Sequence, residues 1–276
     1  MCLLHTIGVT KRFRELVQHR NENGNKLPMN QSEAKAFVND FYKRVAARWN
    51  ERVTGGPFMR ELLAGSLPRS ALRLFFKNWG SYTIEINTLE AASYHKHIHF
   101  FRSHRDLMAL MAQKLADELI HPEPPGHVHV VLKTAAALGI AEEEIFLAPM
   151  LPEFRAKIDF KRAILWEGTV AEFYAAGATE EQTGYWSADF FKTLTTHYGL
   201  TAEQAIYFST HEEADLKEHA DGVMGHGSFR RAVLQRLLEV DIAHVRPGYS
   251  LEYCGLTAVD LHGAILQAAY DAAPRA

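Results

Sequence analysis

The chain has 276 residues, of which 47% are hydrophobic and 23% charged, as is typical of globular proteins. Its 30 basic residues nearly balance 33 acidic ones, and a net charge of -3 argues against binding to nucleic acid or to an anionic membrane. The two cysteines, Cys2 and Cys254, exclude a disulfide framework. No run of about twenty apolar residues occurs, so we predict a cytoplasmic protein.

Helical periodicity extends from Ser32 to Tyr270, and alternating strand patterns are nearly absent. Predicted helices begin at Ser32, Pro68, about Asp106 and His127, and a long one runs from Pro152 to Glu180. Later predicted helices cover Tyr185–Tyr198, Thr201 to about Val223, Phe229–Val240 and Ser250–Tyr270. No linker is long enough to separate domains. We therefore predict an all-α fold with one helical bundle over residues 31–276, preceded by an N-terminal extension over residues 1–30.

One late helix carries a ladder of possible metal ligands. His211, Asp215 and His219 are spaced four residues apart, so they fall within an arc of roughly 80° that also holds Phe208. Buried polar groups need partners, which a metal ion would supply. A solvated stripe on an amphipathic helix explains the same spacing about as well.

A carboxylate and an imidazole flank a proline-rich turn. Glu118 ends one predicted helix and His127 begins the next, beyond the breaker Pro122–Gly126. Side chains at adjacent helix ends can converge on one point. His121 and His129 are alternatives to His127.

A further carboxylate lies in the middle of the chain. Glu180 ends a stretch of small residues, which lets neighbouring helices approach closely, and Glu172 competes with it eight residues earlier. Carboxylate and imidazole groups on three helical segments are typical of a di-iron site in a bundle.

The order of these segments resembles that of the haem-oxygenase-like diiron oxidases and oxygenases, relatives of TenA thiaminases and of PqqC. The matching pieces are Glu118 and His127 before Leu138-Gly139, Glu180 before Thr183–Ala188, Tyr198–Leu200 and Tyr207-Phe208 before His211, and the closing His211, Asp215 and His219. The resemblance covers about residues 72–223 and is nearest to the fatty-acid-decarboxylating, 1-alkene-forming branch. The last histidine lies eight residues after His211, where the family often has seven.

The resemblance implies a haem-oxygenase-like bundle with two Fe(2+) ions per chain. The implied metal ligands are Glu118, His127, Glu180, His211, Asp215 and His219, and Glu180 and Asp215 are also the implied catalytic residues. The implied function is an O2-dependent, non-haem diiron oxidase or oxygenase of specialised metabolism. It would act on a small amino-acid or fatty-acid substrate by desaturation, oxidative C–C cleavage or N-oxygenation. The expected partners are that substrate and O2, with a homodimer possible and with neither nucleic acid nor membrane.

Two other functions remain open, namely a metal-free TenA- or PqqC-like enzyme of cofactor metabolism and a non-catalytic helical binding protein. TenA thiaminases need a nucleophilic cysteine inside the bundle, and neither Cys2 nor Cys254 is suitably placed in the sequence. An acidic substrate requires a nearby cation. The candidates are Lys77, Arg102, Arg105 and Lys161.

Overall fold

The computed structural model describes residues 28–216 and 224–274, and these ranges contain helices and no strand. In chain order the helices are α1 (Gln31–Trp49), α2 (Pro57–Leu63), α3 (Arg69–Lys96), α4 (Ile98–Ser103), α5 (Arg105–Leu119), α6 (His127–Ala137), α7 (Glu142–Leu147), α8 (Pro152–Glu167), α9 (Val170–Ala176), α10 (Glu180–His197), α11 (Ile206–Leu216), α12 (His226–Glu239) and α13 (Leu251–Asp271). A π-helical turn, Asn50–Thr54, continues α1. The predicted all-α fold is confirmed. Residues 1–27 lie outside the described ranges, so the division into an extension and a bundle stays a prediction.

Local sequence signals explain where several helices begin. The side chain of Asn30 accepts a 3.0 Å hydrogen bond from the backbone N–H of Glu33, whose carboxylate accepts one from the backbone N–H of Asn30. This reciprocal pair satisfies two backbone donors that the first turn of α1 leaves free. Pro57 and Pro152 occupy first-turn positions of α2 and α8, where a missing N–H costs nothing.

The single helix predicted from Pro152 to Glu180 is wrong. α8 ends at Glu167, and Thr169 begins the next helix by accepting a 3.2 Å hydrogen bond from the backbone N–H of Glu172. Gly168 is conformationally flexible and Thr169 is a good N-cap residue, and both properties favour a break between the two helices. Glu180 therefore begins α10 instead of ending the earlier helix.

α3 is the central element of the bundle and packs against α6, α8 and α13, while α10 packs against α11. An aromatic cluster lies between α2, α3, α10 and α11. Its members are all at most 3% exposed, namely Phe58, Phe75, Trp79, Trp186, Phe190 and Phe208. Burial of each such ring contributes about 1.5–3 kcal/mol to folding. The cluster forms an apolar layer beside a polar cavity that Trp79 also lines. Within the described ranges, no helix combines the length and the apolar character needed to cross a membrane.

Candidate functional site

A cavity of about 70 Å³, called here the inner cavity, lies inside the bundle. It has room for about two water molecules. Its ionisable lining residues are Tyr82, Glu118, Lys157, Lys161, Glu180, Tyr207, His211, Asp215 and His262. Buried charges are costly unless they are paired, so such a wall is typical of a functional site rather than of a structural core.

Glu118 and His127 meet across the turn between α5 and α6, as predicted. Nδ1 of His127 lies 2.7 Å from Oε2 of Glu118, and the ammonium group of Lys114 donates a 3.1 Å hydrogen bond to Oε1. The turn closes through Gly126 at a φ of 66°, where a Cβ atom would lie 2.3 Å from the backbone oxygen of Glu118. Burial by itself raises the pKa of Glu118, but His127 and Lys114 outweigh it and hold that pKa well below its usual value.

Of the three histidines considered beside this turn, His127 is the one that contacts Glu118, and the two alternatives lie elsewhere. His129 is partly exposed and lies 3.7 Å from the carboxylate of Glu123. His121 lines a separate, more open groove, where His127 also contributes.

Glu180 begins α10 and lies between two cations. Its Oε1 accepts a 2.6 Å hydrogen bond from Nη2 of Arg230 and lies 3.2 Å from Nζ of Lys114. Arg230 also donates a 2.6 Å hydrogen bond to Glu90. Burial raises the pKa of Glu180, but the charges of Arg230 and Lys114 outweigh that effect and lower it. Its Oε2 is buried and has no hydrogen-bond partner among the described residues.

Glu172, the competitor of Glu180, belongs to another part of the molecule. It is fully buried and accepts a 2.8 Å hydrogen bond from Nε of Arg246. This ion pair joins α9 to the segment before α13 and does not line the inner cavity.

Of the three possible metal ligands on the late helix, His211 and Asp215 are described, and both point inward. Asp215 is 4% exposed and its carboxylate lies 3.2 Å from Nδ1 of His226. The His211 ring lies 4.2 Å from the His127 ring between centroids, and burial together with the charge of His127 lowers the pKa of His211 to about 3. Burial raises the pKa of Asp215, although His226 opposes this shift. His219 lies outside the described residues.

Several residues that line the inner cavity or pair with its carboxylates could not be identified from the sequence, all of them buried cations or imidazoles: Lys114, Lys157, His226, Arg230 and His262. Helical spacing contained a signal for some of them. Lys114 continues the buried positions Leu107 and Met111 of α5, and Lys157 lies three residues after the buried Phe154 of α8. A lysine at a core position of a helix marks either an internal ion pair or a site.

Residues 42–221 match the model of the TENA/THI-4/PQQC family. The chain belongs to this family. A curated relative described as a 4-aminobenzoate synthase from Chlamydia pneumoniae is 25% identical over 183 residues, which cover 59% of this chain and 75% of the relative.

Solved structures agree with the family in fold. A domain of unknown function with a heme oxygenase-like fold from Shewanella denitrificans OS217 has a TM-score of 0.63 at 16% identity, over 85% of this chain and 92% of that one. A TenA family transcription regulator from Silicibacter sp. TM1040 has a TM-score of 0.60 at 18% identity, over 83% of this chain and 94% of that one. The predicted haem-oxygenase-like bundle is thus confirmed.

The function predicted from the sequence, an O2-dependent diiron oxidase or oxygenase near the 1-alkene-forming branch, is overturned by these findings. The family match and the curated relative support the alternative, a TenA/PqqC-like enzyme of cofactor metabolism. Within residues 28–216 and 224–274, moreover, no group of three or more His, Cys, Asp or Glu side chains is arranged to hold a metal ion.

The described side chains do not fit an iron centre as they are arranged. The carboxylates of Glu118 and Glu180 are already paired with Lys114 and Arg230, and Asp215 is paired with His226. Internal cations beside these carboxylates would repel a second positive charge. The assignment of the six ligands to two Fe(2+) ions stays a prediction, since His219 lies outside the described ranges.

Proposed function

We propose that this chain is a TenA/PqqC-like enzyme of cofactor metabolism, which forms a small aromatic amino acid of the 4-aminobenzoate type in the inner cavity. The observation that carries the proposal is the wall of this cavity, in which buried charged groups of both signs and aromatic rings surround a space of about 70 Å³. Membership of the family and the description of a relative as a 4-aminobenzoate synthase support this choice of product class.

The aromatic part of the wall suits a planar ligand. The rings of Trp79 and Tyr82 stack with centroids 4.8 Å apart, and both residues line the cavity. Nε1 of Trp79 donates a 2.6 Å hydrogen bond to the hydroxyl of Tyr207, which holds the indole in place. A ring that enters the cavity therefore meets a fixed aromatic surface.

The acidic part of the wall suits an amino group. Oε2 of Glu180 is a buried acceptor that lacks a donor within the described structure, and an N–H of the ligand would satisfy it. Arg230 and Lys114 keep Glu180 ionised, so it binds rather than exchanges protons. Asp215 has a raised pKa and is the better group for proton transfer.

The basic part of the wall suits an acidic group. Of the four cations considered from the sequence, Lys161 lines the inner cavity. It is 5% exposed and its ammonium lies 3.6 Å from the carboxylate of Glu90. A carboxylate of the ligand would complete the pairing of this buried charge.

The proposal is tested in a bacterial host that requires added 4-aminobenzoate for growth. We expect the chain to restore growth without that supplement and 4-aminobenzoate to be detected by mass spectrometry. Glu180→Gln should abolish the effect, because the neutral amide no longer pairs with Arg230 and Lys114. Glu181→Gln is the matched control, since Glu181 is the adjacent residue but pairs with Arg231 outside the cavity.

Two outcomes would contradict the proposal. One is soluble, folded protein that forms no 4-aminobenzoate, and the other is an equal product yield from Glu180→Gln and the parent. A chain that binds 4-aminobenzoate tightly without forming any would instead be a sensor, in line with the transcription regulator among the structural neighbours.

A further inference from the structure

Lys157 occupies a position unlike that of any ordinary surface lysine. It projects from α8, is 3% exposed and lines the inner cavity. Its Nζ lies 2.7 Å from Nδ1 of His262 on α13, and 5.0 Å from the ring centroid of Tyr82. The amine is thus held between an imidazole and an aromatic face, inside the space available to a ligand.

The surroundings of Lys157 favour the uncharged amine. No carboxylate of the described residues forms an ion pair with it, whereas the equally buried Lys114 lies 3.1 Å from Glu118 and 3.2 Å from Glu180. Burial, and then the charge of Lys161, lower the pKa of Lys157 well below its usual value. For Lys114 burial acts in the same direction, but the two carboxylates outweigh it and raise the pKa.

A free amine beside a second cation and within a desolvated cavity is the arrangement that makes lysine a nucleophile. We propose that Lys157 forms an imine with a small aldehyde or keto acid that enters the inner cavity, with His262 transferring the proton. This inference rests on the proposed function, because it takes the inner cavity to be the substrate site.

The chemistry balances without any further reagent. The nitrogen of Lys157 adds to the carbonyl carbon, a C–N bond forms, and the C=O pair moves to oxygen. Nδ1 of His262 accepts one proton from the nitrogen and returns it to the alkoxide, which becomes a hydroxyl group. It then transfers the second N–H proton to that hydroxyl group, the C–O bond breaks, and water leaves. The product is a C=N bond between Lys157 and the former carbonyl carbon, with no change in oxidation level.

His262 is suited to this role. It is 1% exposed, its ring packs 4.5 Å from that of Trp49, and its Nε2 has no partner among the described residues. Burial, and then the charge of Lys157, hold the pKa of His262 well below its usual value. The neutral ring with its proton on Nε2 leaves Nδ1 free to accept a proton from the amine.

Reductive trapping tests the proposal. The full-length protein is incubated at pH 7 with glyoxylate and sodium cyanoborohydride, digested, and mapped by mass spectrometry. We expect the carboxymethyl adduct at Lys157 to form at least tenfold faster than at the partly exposed Lys77. Equal labelling of the two lysines, or labelling of Lys77 alone, would overturn the proposal.

Variants distinguish whether Lys157 is a nucleophile or only a charged anchor, and whether His262 transfers the proton. Lys157→Arg retains a cation but cannot form an imine, and Lys157→Met removes the buried amine without leaving a carboxylate unpaired. Both should lose the adduct while circular dichroism shows the parent fold. His262→Gln should slow trapping at least tenfold, and an unchanged rate would contradict the role of His262. If Lys157 stays unlabelled while Lys157→Met loses affinity for 4-aminobenzoate, Lys157 is a charged anchor and the imine proposal fails, although the proposed function stands.

Discussion

Arg230 and Glu180 form a buried ion pair, with Nη2 of Arg230 donating a 2.6 Å hydrogen bond to Oε1 of Glu180. The guanidinium also holds Glu90, and Arg230 is 0% exposed. The pair joins α12 to the start of α10 and so fixes one wall of the inner cavity. The packing of the site and its electrostatics therefore depend on the same contact.

Replacement of Arg230 by Met should lower the free energy of unfolding by about 3–5 kcal/mol, because two buried carboxylates lose their main cation. Urea unfolding followed by circular dichroism measures this change. Arg236→Met on the same helix is the control and should cost less than about 1 kcal/mol, since the Arg236–Asp106 pair is largely exposed. Equal losses for the two variants would show that the Arg230 network contributes no more than a surface pair.

Gly177→Ala should disturb the same ion pair without removing any charge. A Cβ atom at Gly177 would lie 2.3 Å from Nη1 of Arg230, so the guanidinium must move away from Glu180. We expect a loss of about 1–3 kcal/mol in unfolding free energy, as for overpacking of a core. Thermal unfolding at a fixed pH measures this loss, and a variant as stable as the parent would mean that Arg230 has room to shift.

His97 should make stability depend on pH below neutrality. Burial and the nearby charge of Lys96 lower its pKa to about 4, so the folded state keeps the neutral ring. Between pH 6.5 and 4 the unfolded chain binds a proton at this position and the folded chain does not, and stability falls as pH falls. The shift corresponds to roughly 3 kcal/mol.

Urea unfolding at pH 7 and pH 4.5 tests this effect. His97→Leu should reduce the loss of stability between the two pH values, whereas His99→Leu should leave it as in the parent, because His99 is exposed. The same pH dependence in all three proteins would rule out His97 as its source.

Cys254 should resist alkylation in the folded protein. It is free and 0% exposed, and burial raises the pKa of its thiol to about 12. At pH 8 iodoacetamide should leave it unmodified until urea unfolds the chain, as peptide mass spectrometry would show. Rapid modification under native conditions would mean that the α13 face of the core opens readily.

The fold and part of the site were predictable from the sequence for physical reasons. Apolar residues at helical spacing must face a core. The proline-rich turn before His127 is short, so the ends of α5 and α6 lie close together and bring Glu118 near His127. The break at Gly168 was missed because apolar periodicity continues across it. Lys157 and Arg230 were missed because long cationic side chains are ordinarily at the surface, and only the assembled bundle shows which of them are buried.

The role of the inner cavity is tested most directly by calorimetric titration of the full-length protein with 4-aminobenzoate at pH 7. We expect saturable binding at one site per chain, lost in Glu180→Gln and retained in Glu181→Gln, because Glu180 lines the inner cavity and Glu181 does not. Absence of binding to the folded parent, or equal affinity in the two variants, would contradict the assignment of this cavity as the active site.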